Sequence, residues 1–288
     1  MSAPIDTLLD RLDLEHLDQD LYRGTSPNDG RPRIFGGLVA AQSHIAACRT
    51  VEGRRAHSLH GYFLREGDTK VPVIYHVDRI RDGRSFATRR VVAKQHGKAI
   101  FNMSVSFQAP EEGLEHQRPM PDAPPPDSIP TNKERMGAYQ ERSDHPAFAF
   151  LFALDRPIQR REVDHMDLLN PVANTGTKRM WFRADGDVGD DPVVNQAILA
   201  YASDFGLLES SLNQHGRGFL SQDLIVASLD HAIWFHADVR VDQWLLYTTE
   251  SPRTAGGRGL NFGQIHAQDG TFVASVAQEG LIRIRKPR

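Results

Sequence analysis

Apolar residues along the chain recur with two periods, one of helices and one of strands. Over residues 193–212, Val194, Ala197, Ile198, Tyr201, Phe205, Leu208 and Leu212 fall three and four apart, one stripe of a 3.6-residue helix. At about 100° per residue Asp204 sits at the edge of that stripe, beside Ala197 and Leu208. After the turn His215-Gly216-Arg217-Gly218 comes DLIVASLDHAIWFH, rich in β-branched and aromatic residues. Strict alternation through this segment puts Leu224, Val226, Ser228, Asp230, Ala232 and Trp234 on one face. The pattern predicts one long helix followed by one long strand, each carrying a polar residue in an apolar row. Asp204 reads equally as a solvated helical carboxylate or as a functional one, and Ser228 as a small strand residue or as a working hydroxyl.

Earlier in the chain, Ile5, Leu8, Leu9 and Leu12 give a first amphipathic helix. Phe35-Gly36-Gly37 opens a second, over residues 38–50. Two glycines at a helix start allow close backbone approach and leave free N–H groups, so Gly36 and Gly37 mark either a tight turn or a ligand contact. Four strand-like segments follow over residues 57–110, with hairpin signals at Asp82-Gly83 and His96-Gly97. Residues 110–130 hold seven of the 17 prolines and read as a crossing linker, with an interrupted helix after it over residues 132–154.

The last part repeats the first. Gly83-Arg84-Ser85 begins a strand that turns at Gly97 and returns. Gly257-Arg258-Gly259 begins another that turns at Gly270 and returns. The two landmarks are offset by 174 and 173 residues. The order of elements, helix and then several antiparallel strands, also recurs. A duplicated unit is the reading.

Composition narrows the classes. The chain has 288 residues, 40% hydrophobic and 25% charged, as expected for globular domains. A net charge of −3 gives no global field for nucleic acid. No apolar run approaches the ~18 residues of a membrane span. The N-terminal stretch is an acidic amphipathic helix rather than a signal peptide, and the C-terminal Arg-Lys-Pro-Arg is no peroxisomal address. A cytoplasmic protein is the expectation. The single cysteine, Cys48, precludes an internal disulfide framework and reads as a small core residue. His57 and His60 alternate faces on a strand, as do His231 and His236, so spacing predicts no metal site. Asp230 and His231 likewise face opposite ways and make no dyad.

In TFVASVAQEG, alternation places Gln278 in the apolar row of Phe272, Ala274 and Val276. A buried amide left unpaired costs ~1–3 kcal/mol, so Gln278 is either a structural amide or part of a site. With Asp204 and Ser228 it makes a possible trio of carboxylate, hydroxyl and amide. Gly83-Arg84-Ser85-Phe86-Ala87 misses the nucleophile-elbow pattern at its last glycine and lies between strands, and no phosphate-binding glycine motif occurs.

The motifs IFGGLVAAQ, HSLHGYFLREGD, RDGRSF, VSFQAPEEG, YASDFGLL, ASLDHAIWFH, WLLY and VASVAQEG resemble, in order and over almost the whole chain, the acyl-CoA thioesterase II family. The resemblance implies an α+β double hotdog, two antiparallel sheets each wrapped around a central helix. It implies an N-terminal hotdog over residues 1–110, a connecting segment over 111–158 and a second hotdog over 159–288. It also implies hydrolysis of fatty acyl-CoA by an activated water. Its catalytic Asp, Ser or Thr, and Gln fall on Asp204, Ser228 and Gln278, and the N–H groups at Gly36 and Gly37 become candidate oxyanion donors. No cofactor or metal is implied, and a homodimer or homotetramer is expected by analogy. Two rival readings remain: a hotdog 2-enoyl-CoA hydratase, which would want a histidine beside Asp204, and a non-catalytic acyl-CoA-binding protein.

Overall fold

A computed structural model of the protein describes residues 3–27, 31–145, 147–148, 156–174 and 177–285. Its centre is a pair of helices. Helix α2 (Gly36–Cys48) is buried on every side from Gly37 to Ala47, the signature of a helix enclosed by sheet rather than lying on it. Its polar residues are placed accordingly: Gln42 donates to the carbonyls of Arg11 and Thr25 and accepts from the Tyr75 hydroxyl. Helix α4 (Pro192–Ser203) starts at Asp191, whose carboxylate accepts from the Val193 N–H, with Pro192 in the first turn. The two helices run antiparallel, the N-terminus of α2 against the C-terminus of α4. At that crossing a Cβ on Gly37 would lie 2.5 Å from the Tyr201 carbonyl oxygen, so only glycine permits this approach.

Around them lie β1 (Glu15–Asp18), β2 (Leu21–Gly24), β3 (Arg55–Phe63), β4 (Val73–Asp82), β5 (Phe86–Gln95), β6 (Lys98–Gln108), β7 (Ile158–Glu162), β8 (Lys178–Ala184), β9 (Leu224–Ser228), β10 (Asp230–Phe235), β11 (Leu245–Ala255), β12 (Arg258–Ala267) and β13 (Phe272–Ile284). They form one antiparallel sheet in the order β1-β2-β4-β5-β6-β3-β10-β13-β12-β11-β8-β7, with β9 pairing the end of β13. The order β2-β4-β5-β6-β3 on one side is mirrored by β8-β11-β12-β13-β10 on the other, and the halves meet where β3 pairs β10. The hairpin turn at His96-Gly97 uses positive φ, as its sequence predicts, and so does the turn at Gly256-Gly257. The short pair β1 and β2 was not legible in the sequence.

The proline-rich segment is no free linker. It packs on the outside of the second half, where Ile129 joins Trp181, Trp244 and Leu246, and Trp181 Nε1 donates to the Pro124 carbonyl. Helix α1 (Pro4–Leu12) buries Ile5, Leu8 and Leu12 as its spacing predicts. Helix α3 (Asn132–Arg142) starts on a Thr131–Glu134 capping box, while residues 146 and 149–154 of the expected helix lie outside the described residues.

Two expectations fail, each for a local reason. The predicted single helix over 193–212 ends at Ser203, and a second, α5 (Glu209–Asn213), follows. Gly206 adopts φ +74° between them, which an α-helix cannot continue through. The predicted single strand is also two. Ser228 stands opposite Gly280, but Ala232 stands opposite Ala277, so the register slips by one residue near Leu229. The Asp230 carboxylate fills the gap by accepting from the Glu279 N–H at 2.6 Å. A one-residue bulge reverses the faces beyond it. His231, Ile233 and Phe235 therefore point inward, and Trp234 lies on the outer face.

Candidate active site

Helix α4 stops at Asp204, and that stop aims the carboxylate at the N-terminus of α2. Oδ2 accepts from the Gly37 N–H at 2.8 Å, and Oδ1 from Gln278 Nε2 at 2.7 Å. The positive end of the α2 dipole and its unpaired N–H groups are a natural seat for a carboxylate. Burial nevertheless dominates: it pushes the Asp204 carboxyl up from 3.8 to about 6, against the lowering effect of the Gln278 and Gly37 hydrogen bonds. The packing is close, since a Cβ on Gly36 would lie 2.8 Å from the Phe63 ring and 3.0 Å from Asp204 Oδ2.

Gln278 is buried on β13 and does not reach the cavity. Its Nε2 also meets His231 Nδ1 at 3.2 Å, and His231 Nε2 meets the Ser203 hydroxyl at 2.9 Å. The Ser203 hydroxyl donates to the Ala200 carbonyl, so it accepts from His231. His231 thus carries its proton on Nε2 and offers Nδ1 as an acceptor to Gln278. Burial lowers its pKa to about 4, which keeps the ring neutral. The resulting chain runs Ala200, Ser203, His231, Gln278, Asp204. Sequence reasoning missed His231 because alternation was counted through the bulge, and the Asp-His-Ala run carries no sign of a register slip.

Asp204, Gly36 and Ser228 line one cavity of about 510 Å³. Most of its wall is apolar, with Ile34, Phe35, Phe63, Phe101, Leu208 and Phe219. Ser228 is half-buried at the end of β9, and its hydroxyl bonds neither Asp204 nor Gln278. Of the residues singled out from sequence, Asp204, Gln278 and Gly37 are in direct contact, while Gly36 and Ser228 share the cavity wall. The Gly37 N–H is already engaged by Asp204. Cys48 sits against His44, and burial pushes its thiol far up, so it is no nucleophile. Among the described residues no group of three His, Cys, Asp or Glu side chains could hold a metal, and no helix is long and apolar enough to cross a membrane.

A carboxylate held by two donors at an apolar wall suits proton abstraction from a small polar nucleophile, and known proteins match it over the whole chain. A family described as acyl-CoA thioesterase matches residues 148–281, and one described as acyl-CoA thioesterase N-terminal domain matches residues 25–108. Acyl-CoA thioesterase 2 of Haemophilus influenzae is 38% identical, over 98% of this chain and 99% of its own. The crystal structure of an acyl-CoA thioesterase II from Mycobacterium marinum is 42% identical with a TM-score of 0.79, over 98% of this chain and 99% of its own. A protein of hot dog fold from Alicyclobacillus acidocaldarius, 19% identical, superposes with a TM-score of 0.77 over 97% of this chain and 99% of its own, which speaks for the fold alone. With this identity spread from end to end, the chain belongs to the acyl-CoA thioesterase II family.

Proposed function

We propose that the protein hydrolyses the thioester of fatty acyl-CoA to a free acid and CoA. The observation that carries this is Asp204: a carboxylate of raised pKa, fixed from two sides, on the wall of an apolar cavity. A water in the cavity gives a proton to Asp204 as its oxygen attacks the thioester carbon. The carbonyl π pair moves to oxygen. Collapse of that oxyanion re-forms the carbonyl and breaks the C–S bond, and the thiolate takes the proton back from Asp204. Ser228, on the same wall, orients water and carbonyl, which lowers the entropic part of the barrier. Gln278 acts through Asp204 and is a positioning residue. Gly36 offers the remaining N–H at the helix start to the oxyanion, since the Gly37 N–H holds Asp204.

The mirrored strand order supports the double-hotdog reading, with units over residues 1–110 and 159–288 joined by 111–158. The outer sheet face exposes Tyr62, Trp234 and Phe262, which supports a homodimer or homotetramer. A cytoplasmic location, a place in fatty acid metabolism, and action without cofactor complete the reading. Thiol release from a panel of saturated acyl-CoA esters tests it. The same protein given a 2-enoyl-CoA separates hydrolase from hydratase. His231 is held behind Gln278 and does not line the cavity, so the reading expects thiol and no hydrated product. Tight acyl-CoA binding without either product would overturn it in favour of a binding protein.

A further inference from the structure

The run Trp244-Leu245-Leu246-Tyr247 on β11 stands apart from the hydrolytic chemistry. Alternation sends Trp244 and Leu246 outward, under the proline-rich segment, and Leu245 and Tyr247 into the core. Tyr247 is the odd member of the inward pair, because it carries a hydroxyl into a fully buried place. A buried tyrosine hydroxyl needs a partner. This one finds it at the end of the helix that carries Asp204, donating to the Ser203 carbonyl at 2.9 Å.

The last carbonyls of a helix have no partner within it. In α4 the Ala200 carbonyl takes the Ser203 hydroxyl, and the Ala202 carbonyl takes the Phe205 N–H at 3.1 Å. The Ser203 carbonyl comes directly before Asp204. A continuing helix would give it the N–H four residues on, but the left-handed turn at Gly206 ends the helix first. Tyr247 supplies the bond from a strand instead. Its reach depends on glycine: a Cβ on Gly263 of β12 would lie 2.4 Å from Tyr247 Cε2 and 2.8 Å from the hydroxyl oxygen. Burial first, and then the Asp204 charge, hold the Tyr247 phenol well above its ordinary pKa, so it remains a donor. The Ser203 carbonyl and the Asp204 nitrogen share one planar peptide, so a bond that fixes the first also fixes the second.

We infer that Tyr247 is a positioning residue for the hydrolysis: its hydroxyl fixes the peptide between Ser203 and Asp204 and so keeps the Asp204 carboxylate on Gly37 and Gln278. This rests on the thioesterase reading. Tyr247 does not line the cavity and acts only through Asp204.

Tyr247→Phe tests the inference, since its ring still fills the core. kcat should fall roughly tenfold with KM unchanged, because a small displacement of a reacting group is costly. The Gln278 and Gly37 hydrogen bonds lower the Asp204 pKa, so loosening them lets it rise beyond about 6 and moves the acid limb of the pH–rate profile to higher pH. Gly263→Ala, which pushes the ring off the Ser203 carbonyl, should produce the same loss and the same shift. In the Asp204→Asn background Tyr247→Phe should cost nothing more, since no base is left to place. A packing role alone would lower kcat in both backgrounds and leave the limb where it was. An unmoved limb in Tyr247→Phe, or losses that add, overturns the assignment. The course of Tm with pH gives a readout without turnover. Protonated Asp204 stabilises the fold, a contribution full below pH 3.8 and lost as the pH climbs through its folded pKa, and Tyr247→Phe should move that loss to higher pH. If the wild type released thiol from no acyl-CoA, the hydrolase reading would fall, while the Tm profiles still decided whether Tyr247 sets Asp204.

Discussion

Gln278 Nε2 stands 2.7 Å from Asp204 Oδ1, and this contact, made between a strand and a helix end 74 residues apart in sequence, holds the carboxylate in place. The Gln278 hydrogen bond lowers the Asp204 pKa, so Gln278→Ala should raise it further. The acid limb of the pH–rate profile, which falls below pH about 6 in the wild type, should move to higher pH. Gln278→Glu would set two carboxyls side by side and move it further still. An unmoved limb in both variants would separate Gln278 from the base.

Asp204→Asn removes the proposed base and should cost ~10²–10⁴ in kcat. It should also change how stability follows pH. A carboxyl whose pKa rises on folding, here from 3.8 to about 6, stabilises the fold when protonated. That contribution is full below pH 3.8 and is lost as the pH climbs through about 6, on the order of 3 kcal/mol in all. The wild-type Tm should therefore drop between pH 4 and 7 relative to Asp204→Asn, less whatever the Asn loses by offering one acceptor to two donors. Parallel Tm profiles would mean Asp204 is not buried as described.

His231 positions Gln278 through Nδ1. Asn can place an oxygen where Nδ1 lies, while Leu cannot. His231→Leu should lower kcat roughly tenfold with little change in KM, and His231→Asn should recover much of it. Because the ring is neutral above about pH 4, neither variant should gain or lose a histidine-like step near pH 6 to 7. Equal damage in both would point to packing alone.

Ser228→Thr keeps the hydroxyl on a strand that accepts β-branching, and activity should stay within a few-fold of wild type. Ser228→Ala should lower kcat more than it raises KM. A covalent acyl group on Ser228, detectable by mass spectrometry, would replace the attacking water with an acyl-enzyme.

Gly37→Ala would drive a methyl to 2.5 Å from both the Tyr201 carbonyl and the Phe35 ring. The two central helices must then part, costing about 1–3 kcal/mol and dragging Asp204 off its donor. Thermal melts and kcat should fall together. Unchanged stability would contradict the helix crossing.

Periodicity alone located the two helical segments, the strand hairpins, the repeated order of elements and the odd polar residues Asp204, Ser228 and Gln278, because burial of an apolar face imposes a local rhythm on the chain. Family resemblance added the roles proposed for them. Three things were decided only by tertiary structure. Gly206 ended α4 early, since a glycine inside an apolar stripe does not announce whether it will turn left-handed. The bulge at Leu229 reversed a strand face and brought His231 onto Gln278, since register depends on the partner strand and on the Asp230 carboxylate that fills the slip. The Gly37 N–H went to Asp204 rather than to a ligand because two antiparallel helices from different halves of the chain set the start of α2 beside the end of α4. Local sequence carries the period of each element, whereas the contacts that tune Asp204 arise between elements whose relative placement no single stretch encodes.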